Sequence, residues 1–387
     1  MMLAEVVIGA VALAAWIYLL VGRGGFWRME ERDDRGGPLA PLSSWPSVVA
    51  VVPARNEADV IARSIGSLLA QDYPGPFRVV LVDDNSDDGT ADAVRAAAEH
   101  LGAADRLEVL SGAPLPAGWT GKLWAVRQGV ARAQTWAPDY LLLTDADIAH
   151  APDNLRALAA RAQTEGQVMV SLMARLTTET FAERMLIPAF VFFFDMLYPF
   201  GWVNDPQRKL AAAAGGCMLI RRSALEAAGG IESIRGEIID DCALGRRMKA
   251  QGPIWLGLTQ RARSLRPYDG FGEIAAMVSR SAYAQLGYSP VMLAGCLIGM
   301  ALVYLAAPLL AVFGDGLARG LGLAAWAAMA LAFQPILQFY RRSPIWGLGL
   351  PLIGACYTAF TVWSAIEVWR GRGGMWKGRA QAAAELR

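Results

Sequence analysis

The sequence predicts an α/β domain on a mostly parallel sheet, set between apolar segments able to enter a membrane. Three observations predict it. Short apolar runs alternate with helical stretches and end in polar clusters, and the apolar residues concentrate at the two ends of the chain. The 387 residues are also 55% AVILMFWYC and only 18% charged, an excess of apolarity over ordinary soluble domains. With 36 Lys+Arg against 35 Asp+Glu, bulk charge gives no basis for a nucleic-acid partner.

The apolar runs are 48–52, 79–82 and 140–143, as buried parallel strands should be. Each leads into a polar cluster: Pro53 to Glu57, Asp83 to Ser86, and Thr144 to Asp147. Helical stretches at 57–70 and 90–101 complete a β-α-β-α order, and open parallel sheets bind ligands at the carboxyl ends of their strands. Neither GxGxxG nor GxxxxGK[ST] occurs, so dinucleotide and P-loop readings lack their phosphate loop. Cys217, Cys242, Cys296 and Cys356 fit neither a zinc ribbon nor a CxxC pair and read as packing residues. His100 and His150 are too few for a histidine centre, so any metal must be held by oxygen.

The ends read as membrane segments. Residues 2–21 carry one charge, Glu5, and are long enough to span, without the basic start or small-residue cleavage site of a signal peptide. An anchor over 1–22 is therefore expected, and Arg23, Arg28, Arg32 and Arg35 place the chain after it in the cytoplasm. Further apolar segments lie near 291–313, 321–340 and 345–369, followed by a basic tail, 370–387. Four crossings from an outside N-terminus would return that tail outside, against Arg370, Arg372, Lys377 and Arg379. Either that charge is overridden or one segment does not cross; the last, broken by Gly347, Gly349, Pro351 and Gly354, is the candidate for a re-entrant or interfacial path. Between the ends, 46–270 reads as the α/β domain and 271–290 as an interfacial helix.

Asp145-Ala146-Asp147 directly follows the apolar run 141–143. Two carboxylates two positions apart at a strand end can share a hard divalent cation that also touches a diphosphate; the plain alternative is a solvated Asx turn. Val51-Val52-Pro53-Ala54-Arg55-Asn56-Glu57, Val82-Asp83-Asp84-Asn85-Ser86-Asp87-Asp88-Gly89-Thr90, Asp145-Ala146-Asp147 and Ile239-Asp240-Asp241-Cys242 occur in that order over about 200 residues. In sequence they resemble the opening strand, nucleotide segment, metal motif and acidic motif of family 2 glycosyltransferases, which have a GT-A fold.

The resemblance implies a role for each matching position. Pro53, Arg55, Glu57 and Asp84 would meet the nucleotide-sugar, with Asp84 accepting from the base and Arg55 beside it. Asp147, assisted by Asp145, would hold Mg²⁺ or Mn²⁺ against the diphosphate. Asp241 would be the general base that activates the acceptor hydroxyl for an inverting displacement. Where the family has Glu-Asp this chain has Asp240-Asp241, leaving open which carboxylate faces the acceptor; a helix N-terminus enriched in Asp explains the pair equally well.

Lys122, after the turn Trp119-Thr120-Gly121, is placed to meet a ribose or phosphate, with a plain surface lysine as the alternative. Gly215-Gly216 resembles the glycine turn below the acceptor site. In place of the QxxRW motif of membrane-embedded members stands Met277-Val278-Ser279-Arg280-Ser281. Arg280 could still pair with the diphosphate, or could snorkel on an interfacial helix. Loss of the tryptophan counts against a processive polysaccharide synthase. His150 is expected in the loop after the metal motif, outside the ligand set.

Within the family, the anchor, the Gly118 to Ala125 run and the three C-terminal segments look most like the hopene-associated glycosyltransferases of bacteria. Carotenoid-type lipid glycosyltransferases share the Trp376-Lys377-Gly378-Arg379 tail motif. The resemblance implies an inner-membrane enzyme moving one sugar from a nucleotide-sugar, UDP-linked, to a hopanoid or related polyisoprenoid. Phe190 to Phe194 and Trp202 offer an aromatic approach to the bilayer, or simply core packing. The competing readings are a polysaccharide synthase of the same fold and a membrane scaffold or transporter that retained it.

Overall fold

A computed structural model describes residues 2–35, 42–376 and 379–380; Lys377 and Gly378 of the tail motif lie outside the described residues. The first apolar run forms β1 (Val48–Ala54), buried along its whole length. It is followed by β2 (Phe77–Asp83), β3 (Leu107–Ser111), β4 (Tyr140–Thr144), β5 (Ile148–His150), β6 (Met169–Arg175), β7 (Cys217–Arg221) and β8 (Ile254–Ser264). These make one sheet in the order β3-β2-β1-β4-β7-β6-β8-β5. The β3-β2-β1-β4 half is parallel, β7 runs antiparallel to both its neighbours, β6 and β8 are parallel, and β5 is antiparallel to β8.

The parallel half runs as the β-α-β-α pattern predicts. Its first helix starts at Ile61, later than expected. The cause is local: the backbone N–H groups of Asn56, Glu57 and Ala58 are spent on Ser86 Oγ, Thr90 Oγ1 and Asp88 Oδ2, so this stretch is a loop tied to the β2 turn. The Gly121–Gln134 helix packs closely against the sheet. A Cβ on Gly129 would lie 2.4 Å from Val51 Cγ1 and 3.1 Å from Val82 Cγ2.

The chain divides into two units. The α/β unit takes in Glu31–Thr177, Trp202–Pro267 and Met375–Arg387; a helical unit takes in Met1–Glu30, Thr178–Gly201 and Tyr268–Gly374. These units do not share the bounds of the expected 46–270 domain. Residues 31–33 join the α/β unit because Arg32 bridges Leu258 and Asp33 N donates to Leu258 O at 3.0 Å. Thr178–Gly201 leaves it because the Phe181–Leu197 helix is apolar on nearly every side and buries its residues among other helices.

In the helical unit Phe192 stacks at 5.1 Å on Phe26 and 5.2 Å on Phe333, while Phe193 meets Tyr304 and Tyr357. The aromatic run is thus packing within that unit rather than an exposed approach to a bilayer. Among the described residues, four segments are long and apolar enough to cross a membrane: Leu3–Val21, Pro290–Phe313, Gly316–Phe339 and Pro344–Trp369. Trp16 Nε1 donates to Val303 O at 2.8 Å, and a Cβ on Gly9 would meet Leu321 and Leu310. All four cysteines are free, Cys217 and Cys242 being buried.

Replacing Gly129 with leucine is expected to force the helix off β1 and cost about 1–3 kcal/mol. The check is the thermal unfolding midpoint in detergent, which should fall; an unchanged midpoint would mean the helix can shift freely.

Candidate functional site

The polar ends of β1, β2 and β4 converge, as the strand order requires, and the turn after β4 and the Asp240–Lys249 helix supply the acidic groups. Asp145 follows β4 directly. Its Oδ1 lies 2.8 Å from Lys122 Nζ, and the same ammonium lies 3.3 Å from Asp240 Oδ2. Lys122 is held there because Thr120 caps the Gly121–Gln134 helix, its Oγ1 accepting from Leu123 N at 3.4 Å, while Thr120 N donates to Arg235 O. Lys122 is therefore neither a loose surface lysine nor open to solvent alone: it ties two acidic motifs almost 100 residues apart. A cavity beside it is lined by Pro53, Lys122, Asp145, Gly215 and Asp240.

Asp241 is placed by the glycine turn before β7. Gly215 N donates to its Oδ2 at 3.0 Å and Cys242 N to its Oδ1 at 2.7 Å. Burial of the carboxyl and then the neighbouring Asp240 push the acid up to about 6, against the pull of Lys122 and the two N–H groups. A side chain on Gly215 would start 3.5 Å from both Asp241 Oδ2 and Lys122 Nζ, filling the space the two charges face. The Asp pair also opens a helix, so the helix N-terminus and the site occupy the same residues.

Asp147 turns to another set of partners. Its Oδ2 accepts from Ser264 Oγ at 2.9 Å, and Leu265 N donates to its carbonyl. Burial first, then the charges of Asp145 and Glu57, hold the Asp147 acid above the usual carboxylate range, while Ser264 and Arg266 pull it down. Glu57, expected at the nucleotide-sugar, is buried and forms an ion pair with Arg266, which also reaches Asp59 at 3.4 Å. Sequence reasoning missed Ser264 and Arg266. The available signal was the basic run Arg261, Arg263, Arg266 at the end of an apolar stretch, opposite three carboxylates.

In the β2 turn it is Asp83, not Asp84, that acts as the turn carboxylate: its Oδ1 accepts from Ser86 N and Ser86 Oγ. Asp84 is 2% exposed, with Arg55 donating to its carbonyl and standing 3.8 Å from its Oδ2. Arg55 and Asp84 are thus neighbours. His150 departs from expectation, lying on β5 and buried. Thr144 Oγ1 gives its proton to Gly216 O at 2.7 Å, so His150 Nε2 must donate to that hydroxyl, 3.0 Å away, and Nδ1 accepts from Asn154 Nδ2 at 2.8 Å. Burial pushes this imidazole down to about 4, so it stays neutral and braces the strand end behind Asp145. Arg280 belongs to the helical unit, exposed on the Phe271–Gln285 helix.

Asp145 and Asp147 fit a hard divalent cation. Their mutual repulsion is only partly offset on the Asp147 side, by Ser264 and Arg266, and among the described residues no cluster of three His, Cys, Asp or Glu forms. The remaining positions would fall to phosphate oxygens and water, the usual pattern for Mg²⁺ at phosphate sites.

With this geometry in place, residues 49–229 match the family description "Glycosyl transferase family 2". That stretch is similar to a family 2 glycosyltransferase domain. The chain is 30% identical over 192 residues to an N-acetylglucosaminyltransferase of Mesorhizobium japonicum, covering 47% of this chain and 41% of that protein. A second, from Sinorhizobium fredii, is 27% identical over 199 residues, covering 49% and 43%. The chain thus spans about two fifths of the length of the curated relatives it matches. Among solved structures, a mannosyltransferase from Pyrobaculum calidifontis in complex with GDP-Man and Mn²⁺ superposes with TM-score 0.57 at 18% identity, over 95% of this chain and 99% of that one. At that identity the likeness speaks for the fold, which is GT-A-like.

Lys122→Met leaves the carboxylates around it uncompensated and should destabilise the protein by about 1–3 kcal/mol at pH 8. The loss should shrink at pH 5, where the raised Asp241 acid is protonated. Thermal midpoints at the two pH values decide the matter; equal losses would show that Lys122 acts through packing and not charge.

Proposed function

We propose that this chain is a membrane-bound, metal-dependent, inverting glycosyltransferase that moves one sugar from a UDP-linked donor to a lipid hydroxyl, a hopanoid or related polyisoprenoid. The observation that carries it is the double ion pair of Lys122, which brings the Asp145 turn and the Asp240-Asp241 pair to one cavity. A donor's diphosphate and an acceptor hydroxyl must meet in such a place. The apolar segments at both chain ends support a lipid acceptor, since they give the enzyme access to a substrate dissolved in a bilayer.

Arg55 and Asp84 would take the base, and Pro53 borders the cavity. A bound Mg²⁺ or Mn²⁺ at Asp145 and Asp147 would neutralise charge on the departing diphosphate. On binding, Lys122 can exchange Asp145 for phosphate oxygens while keeping Asp240, and so count the donor as present. Asp241, with its acid raised toward neutrality, is suited to take the acceptor's proton. Its Oδ2 has a lone pair left after accepting from Gly215 N. The open face of Gly215 leaves room for the acceptor sugar or sterol-like ring to approach.

The test is nucleotide release by the purified protein in detergent, with a panel of UDP- and GDP-sugars, UDP-N-acetylglucosamine included, with Mg²⁺ or Mn²⁺, and with or without hopanoid lipid extract. Lipid-stimulated release from one donor, yielding a lipid with a single sugar, is expected. Long sugar chains without lipid stimulation would replace this reading with a polysaccharide synthase, and no turnover of any donor would favour a scaffold. Asp147→Asn should lower donor affinity at least tenfold in Mn²⁺ and leave it unchanged in chelator.

Asp241→Asn should retain donor binding and lose transfer by a factor of 10² or more, on the order expected for a general base. A base must be ionised to act, so transfer should fall as pH drops through about 6 and level off above it. Retained transfer in Asp241→Asn with loss in Asp240→Asn would move the base to Asp240.

A further inference from the structure

Within the helical unit the apolar segment Pro344–Trp369 is not one rod. It is a 3₁₀ stretch, Pro344–Gly349, followed by a helix, Leu350–Trp369. The neighbouring helices measure how deep each part lies. The Gly316–Phe339 segment runs antiparallel to Pro290–Phe313 through the tight turn at 314–315, with Gly322 against Ala307 and Leu310. Tyr340 and Pro290 therefore mark one face of the bundle, and Phe313 and Gly316 the other.

From Tyr340 the chain goes inward. A Cβ on Gly347 would lie 2.8 Å from Ala330 O, so Gly347 sits level with a residue about 15 Å of helix below Tyr340. Gly354 sits against Tyr304, its Cβ position 3.0 Å from that residue's Cβ, about 21 Å below Pro290. Then the chain comes back. Ala365 clusters with Tyr283 and Leu293, and Trp369 stacks on Tyr283 at 5.9 Å. Leu293 is three residues from Pro290, so the helix ends on the face from which it entered.

We propose that 341–370 is a re-entrant hairpin inserted from one face of the membrane, that the described residues cross three times rather than four, and that Arg370 and Arg372 emerge on the face where the first helix ends. The bundle is built to accept such a break. Non-helical backbone within a bilayer must find hydrogen bonds inside the protein. Here Gln334 Nε2 donates to Pro344 O at 3.2 Å and Trp326 Nε1 to Leu348 O at 3.1 Å, and Ser343 Oγ accepts from Ile345 N. Gly347 is what permits the approach, since its Cβ would stand 2.4 Å from Gln334 Nε2. Charge agrees: Arg23, Arg341, Arg342, Arg370 and Arg372 follow helix ends on the entry face, where the one carboxylate of Glu367 serves both Arg370 and Arg372. At the other face Arg319 is paired with Asp315 at 3.6 Å. The partner of this surface is a bilayer whose entry leaflet meets the basic rim.

The test uses full-length protein in sealed vesicles of one orientation, with a membrane-impermeant maleimide and the unmodified chain as background. Leu317→Cys, Arg341→Cys and Arg372→Cys are each labelled from outside the vesicle and, as a reactivity control, in detergent. Arg341→Cys and Arg372→Cys should share one accessibility and Leu317→Cys should show the opposite. Arg372→Cys sharing the side of Leu317→Cys would overturn the proposal, because that is what a fourth crossing requires. Phe313→Cys and Arg370→Cys provide a second pair should either end variant fail to accumulate. The comparison is internal to the chain, so it holds whichever face is cytoplasmic and whatever sugar the enzyme transfers.

Discussion

One ammonium organises the site. Lys122 stands 2.8 Å from Asp145 and 3.3 Å from Asp240, two carboxylates of which one follows β4 and the other opens the Asp240–Lys249 helix. Without a cation among them, the acids at the end of β4 and at the head of the Asp240–Lys249 helix would repel one another, and the cavity they share would be costly to close. The capped helix that carries Lys122 lies against β1 through Gly129, so the position of the charge is fixed by packing on the sheet. Fold and site are coupled at that helix.

The raised acids have a common origin. Asp147 and Asp241 both lie above ordinary carboxylates, first through burial and then through a neighbouring carboxylate, Asp145 for one and Asp240 for the other. The partly compensating cations differ: Arg266 serves the first pair and Lys122 the second. The chain therefore holds more negative charge in this region than its own cations balance. Such an arrangement favours whatever brings positive charge to Asp147, and leaves Asp241 poised to change protonation near neutral pH.

Much of this was legible in the sequence, and the rest was hidden for physical reasons. The strands β1, β2 and β4 could be read because buried parallel strands are continuous apolar runs, and the acidic motifs because they end such runs. Lys122 was readable as a residue but not as a bridge, since nothing local says that Asp145 and Asp240 converge. Glu57 looked like a ligand group because its partner, Arg266, is more than 200 residues away. His150 looked like part of a loop because β5 is only three residues long and pairs with β8, far along the chain. The apolar Phe181–Leu197 helix lies inside the expected α/β stretch in sequence yet packs within the helical unit, because it adds no strand to the sheet.

The apolar segments obey the same logic. Counting apolar residues makes 344–369 as good a span as the others, because hydropathy records composition and not direction. Direction comes from the groups that a broken helix leaves bare. Gln334 and Trp326 are polar donors on the neighbouring helix, and each meets a carbonyl of the 3₁₀ stretch, Gln334 while also donating to Ala330 O on its own helix. A straight fourth helix would satisfy those carbonyls internally and leave Trp326 Nε1 without its acceptor. The glycines and prolines that interrupt this segment, together with two polar side chains on its neighbour, thus form one device, and the same arrangement reconciles a basic tail with an anchor whose following residues are also basic.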